Sequence, residues 1–264
     1  MKSVILIPAR FASSRYPGKP LVELCGAGGM AKPLIQRSYE AASAVPEVDS
    51  VHVVTDDQRI AAAAAAFGAP VIMTSEAARN GTERCAEALA ALDDADLVIN
   101  FQGDALLTPP AFVSALIDHM RESEDAVATP AMRLTSDEVR ALQAEEAAGR
   151  VGGTSVVSDA RGHALYFSKR LIPHLPEGAL SEILSPVRLH VGVYAYRPAA
   201  LAAYAAAPPS ELEQLEGLEQ LRFLDRGISV AVVEVETPPF TLRELNNPSD
   251  VAPIEAALAA ANIA

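Results

Sequence analysis

The stretch SVILIPARFASSRYPGKPL (residues 3–21) joins a short apolar run to a loop that contains three cations and no acidic residue. An apolar, β-branched run of this length predicts a buried strand. Small residues in the following loop let a ligand approach the backbone, while Arg10, Arg15 and Lys19 supply positive charge. The stretch therefore predicts a phosphate-binding loop at the carboxyl end of the first strand. The alternative is a solvated basic loop.

An alternation of strand and helix extends over the first hundred residues. Strand-like runs lie at 3–8, 51–56, 70–75 and 97–104, and helix-like segments lie at about 33–44, 57–66 and 81–92. This alternation predicts an α/β fold, a three-layer sandwich with a mostly parallel sheet between two layers of helices. Because ligands bind beyond the carboxyl ends of the strands in such sheets, the polar residues that end these runs are candidates for a site.

The second half of the sequence has a different pattern. The predicted elements are a β-hairpin, a long strand, a leucine-rich helix, a last strand and a terminal helix, at 154–169, 187–197, 210–227, 230–236 and 247–261. The leucine-rich helix rests on leucines that recur every third residue and on Gly227 at its end. Asn246 or Asn247 is expected near the cap of the terminal helix.

The overall composition limits the kinds of protein that this chain can be. A chain of 264 residues, half of them hydrophobic, can bury one sizeable core. The net charge of −13 argues against nucleic acid and an anionic membrane surface as partners. Apolar runs are too short to span a bilayer, and a secretory signal is not expected. Cys25 and Cys85 lack a CxxC spacing, so we expect a cytoplasmic protein with two free thiols.

A second polar strand end lies in VINFQGDALLTPP (residues 98–110). The apolar run ends in Gln102, Gly103 and Asp104, and the glycine permits a turn that places the carboxylate at the rim of the sheet. Magnesium is commonly bound by one or two carboxylates together with substrate phosphates. Asp104 is therefore a candidate magnesium ligand, and a turn or helix cap before Pro109 is the alternative.

Two further groups of residues have the chemistry of ligand recognition. Residues 81–84, at a helix start, offer free backbone amides to a base, although a plain helix N-terminus has the same amides. His190 and Tyr194 alternate with apolar residues on a strand and suit a polyhydroxylated acid; a structural histidine is the alternative. Glu219 and Gln220 on the later helix would join them. Neither a Walker loop nor GxGxxG follows the first strand, which argues against a dinucleotide-dependent dehydrogenase.

Seven stretches resemble, in order, the motif series of the 3-deoxy-manno-octulosonate (Kdo) cytidylyltransferases over nearly the whole chain. They are IPARFASSRYPGKPL, TDD, MTSEAARNGTERCAEAL, VINFQGD, ALYFSKRLIP, HVGVYAYR and LEQLRFL. The resemblance implies one nucleotidyltransferase domain over 1–264, with a mixed sheet and an inserted β-hairpin subregion at 150–197 that contacts the sugar and forms a homodimer. It also implies Mg²⁺-dependent attack of the anomeric hydroxyl of Kdo on the α-phosphate of CTP. The products would be diphosphate and CMP-Kdo, for lipopolysaccharide or capsule synthesis.

The resemblance also implies roles for individual residues. The catalytic residues would be Arg10, Arg15, Lys19 and Asp104. The nucleotide would contact Pro8, Ala9, Arg10, Lys19, Thr74, Gly81, Arg84 and Gln102. The sugar would contact Arg170 or its neighbour Lys169, His190, Tyr194, Glu219 and Gln220. The metal ion would be held by Asp104 and Asn246.

Three positions depart from the pattern of that family. Ala105 follows Asp104 where the family has a carboxylate, Asn246 stands in place of a metal-binding Asp, and Ser155 stands in place of a Lys. An amide oxygen is a weaker magnesium ligand than a carboxylate. Three interpretations stay open: Kdo as the acceptor, another acidic acceptor (amino-Kdo, another 2-keto sugar acid or a phosphonate), and a catalytically silent CTP-binding protein.

Overall fold

A computed structural model of the chain describes residues 1–13, 15–92, 94–176, 178–180 and 183–264. Ser14 of the predicted phosphate loop lies outside the described residues. The strands are β1 (Ser3–Ala9), β2 (Glu23–Cys25), β3 (Ala31–Pro33), β4 (Ser50–Thr55), β5 (Val71–Met73), β6 (Leu97–Phe101), β7 (Val127–Thr135), β8 (Ser155–Ser158), β9 (Ala164–Ser168), β10 (Leu184–His190), β11 (Val193–Tyr196) and β12 (Val230–Val235).

The α-helices pack against this framework of strands. They are α1 (Leu34–Ser43), α2 (Gln58–Ala66), α3 (Gly81–Ala88), α4 (Pro110–Glu122), α5 (Ser136–Ala147), α6 (Pro198–Ala206), α7 (Glu211–Glu216), α8 (Leu221–Asp225) and α9 (Val251–Ala260). None of these helices, within the described part of the chain, combines the length and apolar character that a membrane span requires.

All of these strands except β2 and β3 form one mixed sheet, in the order β5-β4-β1-β6-β11-β7-β10-β8-β9, with β12 beside β7. β5, β4, β1 and β6 run parallel, as helical crossovers between successive strands require. Beyond β6 the pairs are antiparallel, apart from β7 with β12. β8 and β9 form the predicted hairpin. The predicted α/β fold is therefore confirmed.

The strand β1 explains the layering of the fold. Its side chains alternate between the two faces of the sheet, because successive residues of a strand point in opposite directions. Ile5 and Ile7 pack in one core with α1, α2 and α4, whereas Val4 and Leu6 pack in another core with α3, α6 and α8. All four are buried. Because helices cover both faces of the sheet at β1, side chains on both faces of the strand are apolar, as is usual for central strands of parallel sheets.

A third, smaller core joins the C-terminal segment to the segment that follows β6. Leu245 is fully buried and packs with Leu106 and Leu107, together with Ile254 and Leu258 of α9. This packing holds the residues on either side of Leu245 next to the turn at the end of β6. The position of the terminal segment is therefore fixed by apolar contacts.

The prediction of one strand over 187–197 is wrong. β10 ends at His190 and pairs with β7 and β8, whereas β11 begins at Val193 and pairs with β6 and β7. In the break, the amide of Val191 donates to the carbonyl of Pro130 over 3.0 Å. Polar and apolar residues keep alternating through the break, so the pattern does not reveal that the strand changes partners. The change places His190 and Tyr194 on different strands.

The prediction of one helix over 210–227 is also wrong. α7 ends at Gly217, whose φ of 61° is in the left-handed region that favours glycine. The second helix, α8, begins only at Leu221. Leu212 and Leu215 are exposed, so the leucines do not mark a single buried face. The interruption presents residues 218–220 as a turn.

Candidate active site

A cleft of about 1200 Å³ runs along the carboxyl edge of the sheet. Its walls come from the phosphate loop, the start of α3, the segment after β6, the loop before β8, the break between β10 and β11, the turn between α7 and α8, and the segment before α9. This is the edge at which parallel α/β sheets bind ligands. The ends of β1 and β6 therefore line one cleft, whereas Asp56 and Thr74, after β4 and β5, reach it only through Arg84.

The floor of the cleft depends on a close approach between two strand ends. A Cβ atom added to Gly103 would lie 2.7 Å from the carbonyl oxygen of Pro8. Such a contact is too short for any side chain, so only glycine lets the turn after β6 lie against the end of β1. Pro8, Ala9, Gln102 and Asp104 line the cleft around this contact.

The three cations of the phosphate loop all line the cleft. Lys19 forms an ion pair with Asp104, and Arg15 donates from Nη2 to Oδ1 of Asn246 over 2.8 Å. Arg10 is exposed, with a long contact of 3.5 Å from Nη1 to the carbonyl of Arg79. The structure thus places the loop directly against both predicted metal ligands.

Arg84, a predicted nucleotide-binding residue, is buried although its cation requires partners. Its Nη1 donates to Oγ1 of Thr74 over 2.5 Å, and its Nη2 pairs with Asp56 at 3.2 Å. Arg84 lines the cleft, whereas Thr74 contacts Arg84 and is not among the cleft-lining residues. Gly81 also lines the cleft, where an added Cβ would lie 3.2 Å from Nε2 of Gln102. The predicted nucleotide residues are therefore close together.

The turn between α7 and α8 brings Glu219 and Gln220 to the opposite side of the cleft. Glu219 accepts hydrogen bonds from the backbone amide of Thr82 (3.0 Å) and from Nε2 of Gln102 (3.1 Å). Burial raises the pKa of Glu219 above its usual range. The side-chain nitrogen of Gln220 is buried and has no hydrogen-bond partner within the described part of the chain. It is free to donate to a ligand.

His190 and Tyr194 line the same side of the cleft. Burial lowers the pKa of His190 to about 3, so the imidazole is neutral near pH 7. The hydroxyl of Thr129 donates to the carbonyl of Val193 over 2.8 Å and lies 3.0 Å from Nε2 of His190. Nε2 therefore donates to this hydroxyl, which leaves Nδ1 as an acceptor. Burial also raises the pKa of Tyr194, which keeps its phenol protonated.

The structure distinguishes the two neighbouring cations at the end of β9. Lys169 lines the cleft. Arg170, the sequence-based candidate for sugar binding, is placed outside the cleft-lining residues, because its Nη1 pairs with Glu146 of α5 at 3.1 Å. Ser155 is buried and donates from Oγ to the carbonyl of Arg170 over 2.5 Å. Ser155 thus holds the end of the hairpin and does not line the cleft.

Glu244, a further carboxylate in the cleft, is not among the residues predicted from the sequence. The charge of Asp104 and burial together raise the pKa of Glu244 to about 7. Lys19, Arg15 and a hydrogen bond from Asn246 act in the opposite direction. The available signal was its position two residues before Asn246, the predicted metal ligand.

These side chains have the chemistry of a site for a hard divalent cation. Asp104, Glu244 and Asn246 offer oxygen atoms, and magnesium prefers oxygen ligands together with substrate phosphates. Among the described residues, His, Cys, Asp and Glu side chains do not gather in groups of three or more that could hold a metal alone. A metal here would need phosphate oxygens to complete its coordination. Asp104, Glu244 and Asn246 therefore fit a magnesium ion whose remaining ligands are phosphate oxygens.

The fold and the cleft define the class of this protein as a nucleotidyltransferase: a cationic loop and a carboxylate meet at the carboxyl edge of an α/β sheet. The cytidylyltransferase family matches residues 4–230, and the chain belongs to that family. This result confirms the resemblance found in the sequence.

Some relatives match this chain over nearly its whole length. The chain is 40% identical to the 3-deoxy-manno-octulosonate cytidylyltransferase of Maricaulis maris, with 98% of each chain covered. It is 38% identical to the mitochondrial 3-deoxy-manno-octulosonate cytidylyltransferase of Arabidopsis thaliana, with 98% of this chain and 83% of the relative covered.

Solved structures are also similar to this chain. A structure of CMP:2-keto-3-deoxy-manno-octonic acid synthetase complexed with CTP superposes with a TM-score of 0.84 at 37% identity, covering 99% of this chain and 100% of the other. The 4-diphosphocytidyl-2C-methyl-D-erythritol synthase of Anaerococcus prevotii, at 14% identity, shares the fold with a TM-score of 0.59, over 97% of this chain and 98% of the other.

Proposed function

We propose that the chain is a 3-deoxy-manno-octulosonate cytidylyltransferase, which transfers CMP from CTP to the anomeric hydroxyl of Kdo and releases diphosphate. The observation that carries the proposal is that one cleft holds both the cationic loop and, across from it, a set of hydrogen-bonding side chains with the cation Lys169. The names of relatives that match nearly the whole chain support the choice of CTP and Kdo.

The cationic loop has the chemistry to hold the triphosphate. Arg10, Arg15 and Lys19 neutralise the charge that develops on diphosphate as it leaves. Phosphoryl transfer of this kind depends mainly on positioning and charge neutralisation, so no covalent nucleophile is needed. Mg²⁺ held by Asp104 and Asn246 would supply further positive charge to the phosphate oxygens.

The opposite side of the cleft has the chemistry to hold a polyhydroxylated acid. Lys169 is the cation placed to pair with the carboxylate of the acceptor. Neutral His190 and the protonated phenol of Tyr194 suit hydroxyl groups, which both donate and accept. Glu219 and the free amide of Gln220 add one acceptor and one donor.

The identity of the acid is best tested with a panel of acceptors. Purified protein is incubated with CTP, magnesium and either Kdo, amino-Kdo, another 2-keto sugar acid or a phosphonate, and diphosphate release is measured. We expect the highest kcat/KM with Kdo. Turnover with another acid and none with Kdo would transfer the proposal to that acceptor. CTP binding without diphosphate release from any acceptor would indicate a silent CTP-binding protein.

A homodimer formed through the β8–β9 hairpin is a second part of the proposal. Leu165 of the edge strand β9 is 64% exposed, and Ile183, just before β10, and Leu184, the first residue of β10, are also exposed. Apolar side chains beside an unpaired strand edge favour association with another chain. Light scattering should give twice the chain mass of 27.7 kDa, and Leu165→Glu should reduce it towards the monomer value. A monomer in the wild type would contradict the proposal.

A further inference from the structure

We propose that Glu244 supplies the second carboxylate of the magnesium site, together with Asp104 and with Asn246 as a neutral ligand. The inference rests on the proposed function, because it assumes that a magnesium ion accompanies CTP in this cleft. It assigns a role to a residue that the family resemblance does not mark. It also explains how a chain with Asn246 in place of an aspartate keeps two carboxylates at its reaction centre.

The packing of the backbone around Leu245 places Glu244 at this position. Leu245 is fully buried against Leu106 and Leu107, which follow Asp104 in the chain. Glu244 and Asn246 lie on either side of Leu245. The apolar contact therefore holds both residues next to the turn that carries Asp104.

The surroundings of the Glu244 side chain agree with this placement. Its strongest electrostatic neighbour is Asp104, and its side chain hydrogen-bonds with Asn246. Its Oε1 lies 3.7 Å from the position that a Cβ on Gly192 would occupy, beside the side chain of Gln102. Protein groups surround Glu244 within the cleft, but its surface stays accessible to solvent, so its carboxylate opens into the cleft. It thus lies between the phosphate loop and the acceptor side.

The nearby cations are already engaged with other partners. Lys19 forms an ion pair with Asp104, and Arg15 donates to Asn246. Lys19 and Arg15 offset only part of the repulsion between the carboxylates of Asp104 and Glu244. Magnesium bound by two carboxylates and by substrate phosphates relieves that repulsion. A role for Glu244 in accepting hydrogen bonds from acceptor hydroxyls is the competing interpretation, and the experiment separates the two.

The experiment measures metal binding without turnover. Mn²⁺, as a spectroscopic substitute for Mg²⁺, is titrated into the protein–CTP complex in the absence of acceptor, and free Mn²⁺ is followed by electron paramagnetic resonance. The variants are Glu244→Gln, Glu244→Asp and Asp104→Asn. The matched control is Glu236→Gln, which removes the same charge from an exposed residue of the same segment outside the cleft-lining residues. CTP binding in EDTA is measured in parallel, and the KM for the acceptor is measured separately in the complete assay.

We expect Glu244→Gln to weaken Mn²⁺ binding by about tenfold or more, since even indirect partners of a metal site commonly cost that much. Glu244→Asp, which keeps the carboxylate, should lie between this variant and the wild type. In EDTA, where no metal ion is bound, Glu244→Gln should instead increase the affinity for CTP, because it removes a negative charge beside the triphosphate. A misfolded variant would lose both kinds of binding, and in that case Glu244→Asp alone, compared with Glu236→Gln, decides the question.

Two results are distinguishable failures. If Asp104→Asn weakens Mn²⁺ binding while Glu244→Gln behaves like Glu236→Gln, the assignment of Glu244 is wrong and the proposed metal site remains. If neither Asp104→Asn nor Glu244→Gln changes Mn²⁺ binding, or if the wild-type CTP complex binds no Mn²⁺, both the assignment and the metal site of the proposed function are wrong. A loss of acceptor affinity alone in Glu244→Gln would assign it to the acceptor instead.

Discussion

Gln102 donates from Nε2 to Oε1 of Glu219 over 3.1 Å, which joins the end of β6 to the turn between α7 and α8. The other carboxylate oxygen of Glu219 accepts from the backbone amide of Thr82 at the start of α3. Glu219 therefore connects three elements that line different sides of the cleft. These contacts set the position of the proposed acceptor side relative to the proposed nucleotide side.

We predict that Glu219→Gln lowers kcat/KM for the acceptor by about 10- to 100-fold. The amide can accept only through one of its two terminal atoms, so either Gln102 or the amide of Thr82 loses its acceptor, at a cost of about 1–3 kcal/mol. The affinity for CTP should change little, since Arg10, Arg15 and Lys19 are untouched. Steady-state kinetics and a CTP titration test this, and an unchanged kcat/KM would contradict the role of the hydrogen bond.

The neighbouring cations Lys169 and Arg170 provide a matched pair of variants. Lys169→Ala should raise the KM for an acidic acceptor by about tenfold or more, because a hydrogen bond to a charged group contributes about 1.5–3 kcal/mol. Arg170→Ala should change KM less than about twofold, because its partner is the surface residue Glu146. The two KM values are measured at saturating CTP. A larger effect from Arg170→Ala would reverse the assignment.

Asp104→Ala should abolish turnover while weakening CTP binding by less. The variant removes the carboxylate proposed to hold Mg²⁺, but it keeps Arg10 and Arg15, which are proposed to contact the phosphates, and Lys19 loses only its ion pair. Single-turnover kinetics and a separate measurement of the dissociation constant for CTP distinguish these two effects. Turnover at the wild-type rate would show that Asp104 does not hold the metal.

The parallel half of the fold could be predicted because it depends on local patterns. Apolar strands with polar ends and helices between them leave few possible arrangements, and the close approach of Gly103 to Pro8 needs only a glycine at a strand end. The antiparallel half was harder to predict. β7 lies centrally, between β11 and β10, but contains Pro130, and a proline within a run argues against a central strand.

The candidate site was predictable for residues near strand ends and unpredictable for residues placed by tertiary packing. Arg10, Lys19 and Asp104 follow β1 and β6 in the chain, so the topology of the sheet brings them together. Glu244 reaches Asp104 only because Leu245 packs against the segment after β6. Such packing between residues 140 positions apart leaves no periodic signal in the chain.

The pKa of His190, which burial lowers from its usual value of 6.5 to about 3, predicts a pH-dependent stability. The unfolded chain binds a proton at this residue below about pH 6.5, while the folded chain does not until about pH 3. Stability is therefore lost as the pH falls through this range, by about 2 kcal/mol between pH 6.5 and 5.

His190→Gln should remove this contribution. When the pH falls from 7 to 5, the free energy of unfolding of the wild type should therefore decrease by about 2 kcal/mol more than that of the variant. Urea unfolding at pH 7 and at pH 5 measures it. His174→Gln, at an exposed position, is the control. A difference that is the same at both pH values would show that His190 is not held neutral by the fold.

The last prediction concerns Arg222, which is 1% exposed and links α8 to α7 and α3. It donates to both carboxylate oxygens of Glu213, each at 2.6 Å, and to Glu83 at 2.9 Å. Arg222→Met should destabilise the protein by about 3–5 kcal/mol, because the buried carboxylate of Glu213 would lose its cation and Glu83 would keep only its ion pair with Arg79. Urea unfolding measures the loss, with Arg121→Met, at a surface pair with Glu47, as a control expected to change little.

A second variant separates the lost charge from the lost packing of the Arg222 side chain. If uncompensated carboxylates cause the destabilisation, Arg222→Met combined with Glu83→Gln and Glu213→Gln should be more stable than Arg222→Met alone, since no buried charge is then left without a partner. If the triple variant is as unstable as the single one or worse, the packing of the guanidinium over the ring of Tyr204, 3.9 Å from its centroid, is the larger contribution. Because α8 follows directly on Glu219 and Gln220, the triple variant should also recover acceptor turnover in proportion to the stability it regains.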